Sequence, residues 1–439
     1  MSPAVRAASD ADLAEIRAQI RELRSQYESR IEALERRLRE AESRAAPAAP
    51  PAAPPASLPA PSTTSTSSAF NPAISAILQG TYAHLSRDPS TWRIAGFASG
   101  GEIGPGRRGF GIGESELVLS ANVDPHFAGH LVLAVTPENE VGVEEAYGRW
   151  LTAPFGLSTK VGRFLSGIGY LNELHSHAWD FVDAPLASQA FLGGRYANDG
   201  VQVKWVAPIE RFFELGAEAG NGDAFPGSPR NRNGAGSAAV YAHTGGDVGV
   251  SHSWRAGVSL LATRAQDRVH AHKDLEGNDV ALAFSGRSRV AIADFVWKYA
   301  PQGNARETSL KVQGEYFRRR ERGELAYGFD GLFAQPDAYS STQSGWYLQG
   351  VYQFRPEWRV GLRTERLETR AIDYGANAAF LEGSDFKPRR SSVMLDFNPS
   401  EFSRIRLQYS RSRTMPGAAD NEWLVQYILS LGAHGAHRY

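Results

Sequence analysis

The feature that most restricts the fold is a two-residue alternation of apolar and polar side chains, which starts near residue 91 and continues to the end of the chain. In the segment 421–431, Trp423 and Val425 share one face, whereas Gln426 and Ser430 lie on the other. Successive side chains of a β-strand point to opposite faces of the sheet. The alternation therefore predicts strands with one apolar face and one polar or charged face.

Sixteen such segments can be counted, and Gly, Pro, Asn and Asp separate them. They begin near residues 91, 110, 126, 142, 157, 199, 211, 237, 252, 289, 306, 344, 357, 389, 403 and 421. The connections after even-numbered segments are short, and those after the fifth, seventh, ninth, eleventh and thirteenth are long. Bacterial outer-membrane barrels have an even number of strands, short periplasmic turns and long external loops. We expect an all-β fold, a 16-stranded antiparallel transmembrane β-barrel over residues 91–439, with its apolar face toward lipid.

Two segments of different composition precede this barrel. Residues 10–45 carry Leu13, Ile16 and further apolar residues at heptad spacing, which predicts an α-helical coiled coil that joins subunits. A helix packed on its own barrel is the alternative. Residues 46–70 are rich in Pro, Ala, Ser and Thr and predict an extended linker. Residues 71–85 fit a helical turn or an additional strand equally well. The N-terminus lacks the apolar segment of a signal peptide, so we expect a processed form if the protein is exported.

Composition and motifs exclude several classes of protein. The chain has no Cys, which removes disulfides, thiolate metal sites and cysteine nucleophiles. The net charge is -1, so no general attraction to nucleic acid is expected. Residues 104–109 match a dinucleotide-binding pattern, but they precede a strand instead of opening a helix. We expect neither an enzyme nor a cofactor, apart from a weakly bound metal.

The connection at 165–198 is the candidate constriction of the lumen. It contains Trp179, Phe181 and Phe191, and a segment this apolar is expected to fold into the barrel instead of lying in solvent. Folding inward would bring a set of polar side chains to the pore wall. These are Glu173, His175, His177, Asp180, Asp183 and Arg195.

Charged side chains on the lumenal faces of the strands are the second candidate site. Of the 47 basic residues, 41 are Arg, which binds carboxylate and phosphate through two parallel hydrogen bonds. The predicted cationic wall consists of Arg359, Arg363, Arg404, Arg406, Lys204 and Lys311, with Glu116, Glu315 and Glu365 opposite. This wall either guides anionic solutes or consists of charges that pair across the lumen and keep it hydrated.

Close pairs of histidines are the third feature. They are His175 and His177, His270 and His272, and His434 and His437. Imidazole together with nearby carboxylates is a ligand set that suits zinc or copper. Because no pair alone supplies three or four ligands, the pairs predict either a weak site for a metal in transit or ordinary polar loop residues.

The stretches 160–169 and 183–195, followed by Asp199-Gly-Val, resemble the phosphate-selective porin superfamily of the OprP and OprO type. The coiled coil and Pro-rich linker resemble those of trimeric dicarboxylate porins in that superfamily. The tail at 430–437 is similar to that of uncharacterised proteobacterial outer-membrane proteins that have been linked to zinc. The resemblance implies a homotrimer of sixteen-stranded barrels, with solute contacts in the lumen and the third external loop.

Together these features predict a passive porin of the bacterial outer membrane for small, anionic solutes. Its partners would be outer-membrane lipid and two further copies, joined through coiled coil and barrel, with the coiled coil in the periplasm. The chain has no Lys-rich loop, so phosphate selectivity is not implied. A zinc uptake channel or receptor that uses the paired histidines is one alternative. A protein that tethers envelope components and uses the barrel only as an anchor is another.

Overall fold

The computed structural model describes residues 73–100, 103–137, 139–381 and 383–432, which all belong to one compact unit. The coiled coil predicted at 10–45, the linker at 46–70, and His434 and His437 lie outside the described residues. No helix among the described residues has the length and apolar character needed to cross a membrane.

The described chain consists mainly of antiparallel β-strands. The strands are β1 (Ala73–Leu85), β2 (Gly109–Ile112), β3 (Ser115–Asn122), β4 (Phe127–Val135), β5 (Val141–Trp150), β6 (Leu157–Leu165), β7 (Ala197–Val206), β8 (Phe212–Gly220), β9 (Ser237–Val248), β10 (His252–Lys273), β11 (Asp279–Tyr299), β12 (Ser309–Phe329), β13 (Leu332–Phe333), β14 (Asp337–Arg355), β15 (Trp358–Asp373), β16 (Arg389–Ser400), β17 (Ser403–Arg413) and β18 (Asp420–Gly432). Within the described ranges there is one α-helix, α1 (Leu186–Leu192). Short 3₁₀ turns lie at Pro89–Thr91, Pro154–Gly156, Ser176–Ala178, Pro301–Gly303 and Gly375–Ala379.

The sheet closes on itself because β1 pairs with β18 on one edge and with β3 on the other. Sixteen strands form the closed barrel. The two short strands lie at its rim, where β2 pairs with the second half of β1 and β13 pairs with the end of β12. A closed barrel leaves no strand edge with unpaired backbone groups, which is what a lipid environment requires. The predicted all-β, sixteen-stranded antiparallel barrel is confirmed.

The first strand differs from the prediction. The segment near residue 91 is not a strand: it contains a 3₁₀ turn at Pro89–Thr91 and irregular chain after it. Instead, β1 covers Ala73–Leu85, within the segment that the sequence left unassigned. The barrel therefore begins before residue 91. Trp92 and Ile94 gave an apolar signal for a different reason, since they pack against the apolar core inside the barrel.

The predicted orientation of the two faces is confirmed. On β18, Trp423, Val425 and Tyr427 are exposed on the outside, whereas Gln426 is buried inside. On β15, Leu362 is 65% exposed and the neighbouring Arg363 only 3%. An apolar exterior around a polar interior is the reverse of a water-soluble protein and is typical of a barrel in lipid.

The short connections lie on one side of the barrel, together with the ends of β1 and β18 at Ser75 and Gly432. The predicted long connections after the ninth and eleventh segments are instead extensions of strands. The strands β10, β11, β12 and β14 have 22, 21, 21 and 19 residues, against 8 in β3 and 9 in β4. A four-stranded wall therefore continues past the rest of the barrel on the long-loop side.

Candidate functional site

The connection between β6 and β7 folds into the barrel, as its apolar content predicts. Its helix α1 is entirely buried and ends at Gly193, which adopts a left-handed conformation (φ 67°) that glycine tolerates without strain. The Phe191 ring stacks on Phe317 of the β12 wall, with the ring centroids 5.9 Å apart. Tyr347 and Leu367 of β14 and β15 belong to the same apolar cluster. One side of the lumen is therefore filled by apolar packing instead of being lined by charge.

Buried ion pairs attach the loop to the wall. The Asp180 carboxylate lies 2.9 Å from Lys311 Nζ and 3.4 Å from Arg359 Nη1. Asp183 accepts a hydrogen bond of 2.7 Å from Arg363 Nη2 and also pairs with Arg390. Hydrogen bonds between charged groups are stronger than neutral ones and are costly to break when buried.

The same cations are linked to each other through wall carboxylates. Glu365 lies 2.8 Å from Arg363 Nε and 2.8 Å from Arg390 Nε. Asp396 lies 2.7 Å from Arg406 Nε and also pairs with Arg359. We call this set the anchor cluster. Its members are Asp180, Asp183, Lys311, Arg359, Arg363, Glu365, Arg390, Asp396, Arg404 and Arg406.

Arg404 completes the anchor cluster, because its Nη1 donates to the backbone carbonyls of His177 and Trp179 in the loop. Two further predicted residues lie apart from it. Lys204 pairs with Glu173 of the loop and lies 3.7 Å from Glu214 on β8. Glu315 is buried, and Tyr347 Oη donates to it over 2.6 Å. Nearly every predicted residue of the cationic wall thus pairs with another side chain.

Open space remains on the other side of the lumen, in two cavities. The outer cavity, of about 720 Å³, reaches residues 103–107 and 221–224 in the long connections. The inner cavity, of about 470 Å³, reaches Ala73 at the start of β1 and Ser120 near the β3–β4 turn. Among the predicted cationic-wall residues, none lines either cavity.

A thin layer of polar side chains separates the cavities, and we call it the septum. It consists of Glu114, Glu116, Glu144, Glu145, His175, Ser176, His177 and Arg195. Neighbours in the chain face opposite cavities: Glu144 and Ser176 line the outer cavity, whereas Glu145, His175 and His177 line the inner one. A solute that passes from one cavity to the other along this side has to cross the septum.

A β-bulge explains how two consecutive residues of β5 both reach the septum. Val132 pairs with Glu145 and Leu133 pairs with Val143, which leaves Glu144 as the extra residue. In a regular strand one of the two carboxylates would point outward, whereas a bulge redirects the additional side chain. Both carboxylates therefore reach the same imidazole ring.

The His175 ring lies between these carboxylates. Its Nδ1 is 3.2 Å from Glu144 Oε2 and its Nε2 is 3.1 Å from Glu145 Oε2. A carboxylate only accepts hydrogen bonds, so both contacts require a doubly protonated imidazolium ring. The partners of Arg195 are Glu114, at 2.7 Å, and Glu144. The septum thus holds four carboxylates around one arginine and two histidines.

The septum is also the place where a metal could bind. Ligand atoms of Glu116, Glu144 and His175 all lie within 4.8 Å of one another, the one such group of three among the described residues. His177 lies beside it, with Nδ1 3.0 Å from Glu116 Oε1. The predicted pair His270 and His272 lies on the extended part of β10, with ring centroids 6.3 Å apart. The structure thus brings one predicted histidine pair, and not the other, into a group with carboxylates.

Sequence reasoning identified the loop side of the septum and missed most of its wall side. Glu114, Glu144 and Glu145 were not among the candidate residues. A signal was present in Glu144-Glu145, because two consecutive charged residues in an alternating strand break the period and indicate a bulge or a strand end.

Comparison with solved structures shows the fold. The trimer form of in-vitro folded OmpT, an outer membrane protein of Vibrio cholerae, has a TM-score of 0.50 and 12% identity, and covers 82% of this chain and 98% of that chain. The outer membrane channel DcaP of Acinetobacter baumannii gives a TM-score of 0.49 and 13% identity, over 82% of this chain and 97% of that chain. At such identities the OmpT similarity establishes the barrel architecture and nothing finer.

Comparison with protein sequences shows a relationship. No protein-family model matches the chain. An uncharacterized protein of Aquifex aeolicus (strain VF5) is 30% identical over 410 residues, which cover 85% of this chain and 81% of that protein. Similarity at this level over nearly the whole length shows common descent, and the chain belongs to the same protein family as this Aquifex aeolicus protein.

Proposed function

We propose that the chain forms a passive outer-membrane channel for small hydrophilic solutes, with no covalent chemistry. The observation that carries this proposal is the pair of cavities on one side of a barrel whose exterior is apolar. A sixteen-stranded barrel is wide enough for an aqueous channel unless it is filled. Here the loop fills the side of β12, β14 and β15 and leaves the side of β1, β3, β5 and β6 open.

The septum is the constriction in this proposal, and it decides which charge passes. The cationic wall in the sequence predicted a preference for anions. Those arginines lie in ion pairs beneath the loop, which favours the alternative that they pair across the lumen. Carboxylates outnumber basic groups among the charged residues that line the two cavities. The eight carboxylates are those of Glu114, Glu116, Glu144, Glu145, Glu173, Asp183, Asp199 and Asp223, and the four basic residues are Arg107, Lys160, Arg163 and Arg195. We therefore assign selectivity to the septum, with a preference for cations, because an excess of carboxylates attracts positive charge.

The test is the reversal potential of the purified protein in a planar bilayer under a KCl gradient. A potential of the sign for K⁺ selectivity supports the septum as the filter. A reversal potential of the opposite sign would show anion selectivity and would assign the filter to the cationic wall. A bilayer that stays non-conducting under all voltages would contradict the channel itself and favour a tethering protein.

Homotrimeric assembly and a periplasmic coiled coil at residues 10–45 remain part of the proposal. The heptad spacing of that segment supports association, and OmpT, which shares the fold, has a trimer form. Cross-linking of purified protein, with and without residues 1–70, distinguishes assembly through the coiled coil from assembly through the barrel.

A second candidate function is passage of a divalent metal such as zinc. The group formed by Glu116, Glu144 and His175 favours it, because one imidazole and two carboxylates form a borderline-hard ligand set. Three ligands on a path between two cavities suit a metal in transit better than a structural metal, which is normally held by four. In this case micromolar zinc blocks the K⁺ current, and the block is lost in His175→Gln. A K⁺ current that micromolar zinc does not change would exclude metal passage as the function.

A further inference from the structure

The extended strands carry an unusual row of arginines on their outer face. Across β10, β11 and β12 the register places Arg264 beside Arg287 and Arg287 beside Arg322. One step closer to the membrane, Arg289 lies beside Arg320. All five side chains are exposed on the exterior of the barrel. We call this surface the arginine patch.

These arginines outnumber the acidic side chains near them. Directly opposed residues of the same charge destabilise a sheet, because their side chains lie only about 5 Å apart at Cβ. Glu321 pairs with the inward-facing Arg268 and is not available to the outer face. Within the described residues, Glu324 is the next outward position after Arg322, and its backbone pairs with Ser285 instead of an arginine. A second carboxylate, that of Asp267, accepts a hydrogen bond from Ser285, which is the next outward position beside Arg287. The five exposed cations thus outnumber the carboxylates near them and are open to anions from outside the chain.

The position of the arginine patch restricts the kind of anion. Along the same outer faces, the residues closer to the short-turn side are apolar and exposed, including Leu260 on β10, Phe295 on β11 and Tyr316 on β12. The change from apolar to cationic occurs within one outward position, as between Tyr316 and Arg318. Successive outward positions are about 7 Å apart along a strand. The arginine patch therefore lies at the edge of the lipid-facing band.

A second row repeats the arrangement on neighbouring strands. Arg366 of β15 lies beside Arg389 of β16, which in turn lies beside Arg413 of β17. Arg366 and Arg389 are exposed on the outer face. On the same outer face, Leu362 and Val393 follow toward the short turns. The cationic edge thus covers two separate parts of the barrel, as expected for a contact with a surface instead of a single small ligand.

We propose that the arginine patch binds the phosphate groups of the phosphorylated glycolipid in the external leaflet. Such a lipid places acyl chains against the apolar band and phosphates at the level of the arginines. Guanidinium groups bind phosphate through two parallel hydrogen bonds, and clustered basic residues at a membrane edge attract anionic headgroups. The long-loop side is the external side of outer-membrane barrels. The proposal thus uses the membrane placement of the proposed function but not its channel activity.

Lipid binding by the purified full-length protein in detergent, followed by native mass spectrometry, tests the proposal. The probes are bisphosphorylated lipid A and the same lipid without its phosphates. The patch variant combines Arg287→Gln, Arg289→Gln and Arg320→Gln. A matched control combines Arg211→Gln, Arg306→Gln and Arg355→Gln, three exposed arginines at the short-turn rim. Conductance and the gel mobility of unheated protein establish that both variants are folded.

We expect wild type to bind the bisphosphorylated lipid more tightly than the lipid without phosphates, and the affinity to fall as salt is added. The patch variant should bind it about tenfold more weakly, since several charge-assisted contacts are lost, whereas the control should match wild type. Equal binding of both lipids, or a patch variant that binds like wild type, would overturn the proposal. A patch variant that changes only the oligomeric state would assign the arginine patch to contacts between copies of the chain. If the wild-type protein did not conduct ions in the bilayer, this would contradict the proposed channel but would leave the lipid-binding result unaffected.

Discussion

The anchor cluster and the septum use the same loop and the same kinds of side chain, yet they differ in access and charge. In the anchor cluster, Arg363 and Glu365 are almost fully buried, and the loop carboxylates of Asp180 and Asp183 pair with wall cations. In the septum, the carboxylates are on the wall and they border two cavities. Many side chains in both groups are buried and paired, so access to open space is what separates them: every septum residue lines a cavity, whereas Asp183 is the one anchor-cluster residue that does. The comparison teaches that pairing alone does not show whether a lumenal charge can meet a solute.

The largest effect is expected from Asp183→Asn. The substitution leaves Arg363 and Arg390 buried with one carboxylate fewer, and breaking a buried pair costs about 3 kcal/mol. Guanidinium titration of the folded barrel in lipid vesicles measures the loss of unfolding free energy. Because the loop is less firmly attached, single-channel conductance should also rise. An unchanged stability and conductance would show that the anchor cluster does not hold the loop.

The next effect concerns charge selectivity. The double substitution Glu116→Gln and Glu144→Gln removes two septum carboxylates with little change in volume. Unit charges about 5 Å apart interact by about 0.8 kcal/mol in a medium as polar as water, or about a fourfold change in permeability ratio per carboxylate. The reversal potential should therefore move toward zero. The matched control is Glu365→Gln, which lines neither cavity and should alter stability more than selectivity; the opposite outcome would place the filter in the anchor cluster.

The smallest effect is expected from Asp199→Asn. Asp199 pairs with Arg163 at 2.6 Å, but both side chains are 43% exposed, so solvent screens the pair. Exposed pairs contribute less than about 1 kcal/mol. Stability and conductance should stay close to wild type. A loss as large as that of Asp183→Asn would mean that access to water does not distinguish the two ion pairs.

Much of the fold could be predicted because a lipid-facing strand has to be apolar at every second residue. The exposed Trp423 and Leu362 follow this rule, and so do Gln426 and Arg363 on the inside. The first strand could not be assigned, because β1 is too irregular in pattern and Trp92 gave a stronger apolar signal from inside the barrel. The extended ends of β10, β11, β12 and β14 were predicted to be loops. Strand segments that extend into water have no apolar face that would identify them in the sequence.

The candidate site was predicted only in part for a similar reason. The loop was found from its apolar residues, and His175 and His177 from their pairing. The role of Arg363 was left open between guiding solutes and pairing across the lumen, because partners such as Asp183 lie 180 residues away in the chain. Glu144 and Glu145 were missed because only a bulge, set by the pairing with β4, turns both toward the ring of His175.

The sequence by itself determined fifteen of the sixteen barrel strands, the face that meets lipid and the loop that enters the barrel. These properties follow from local periodicity and hydrophobicity, which act between near neighbours in the chain. Only the tertiary structure decided which lumenal charges are buried in pairs and which border open space. That decision depends on where the loop packs. The loop fills the lumen on one side, which removes water from the arginines there, and it leaves the septum glutamates among the charged groups that line the remaining open space.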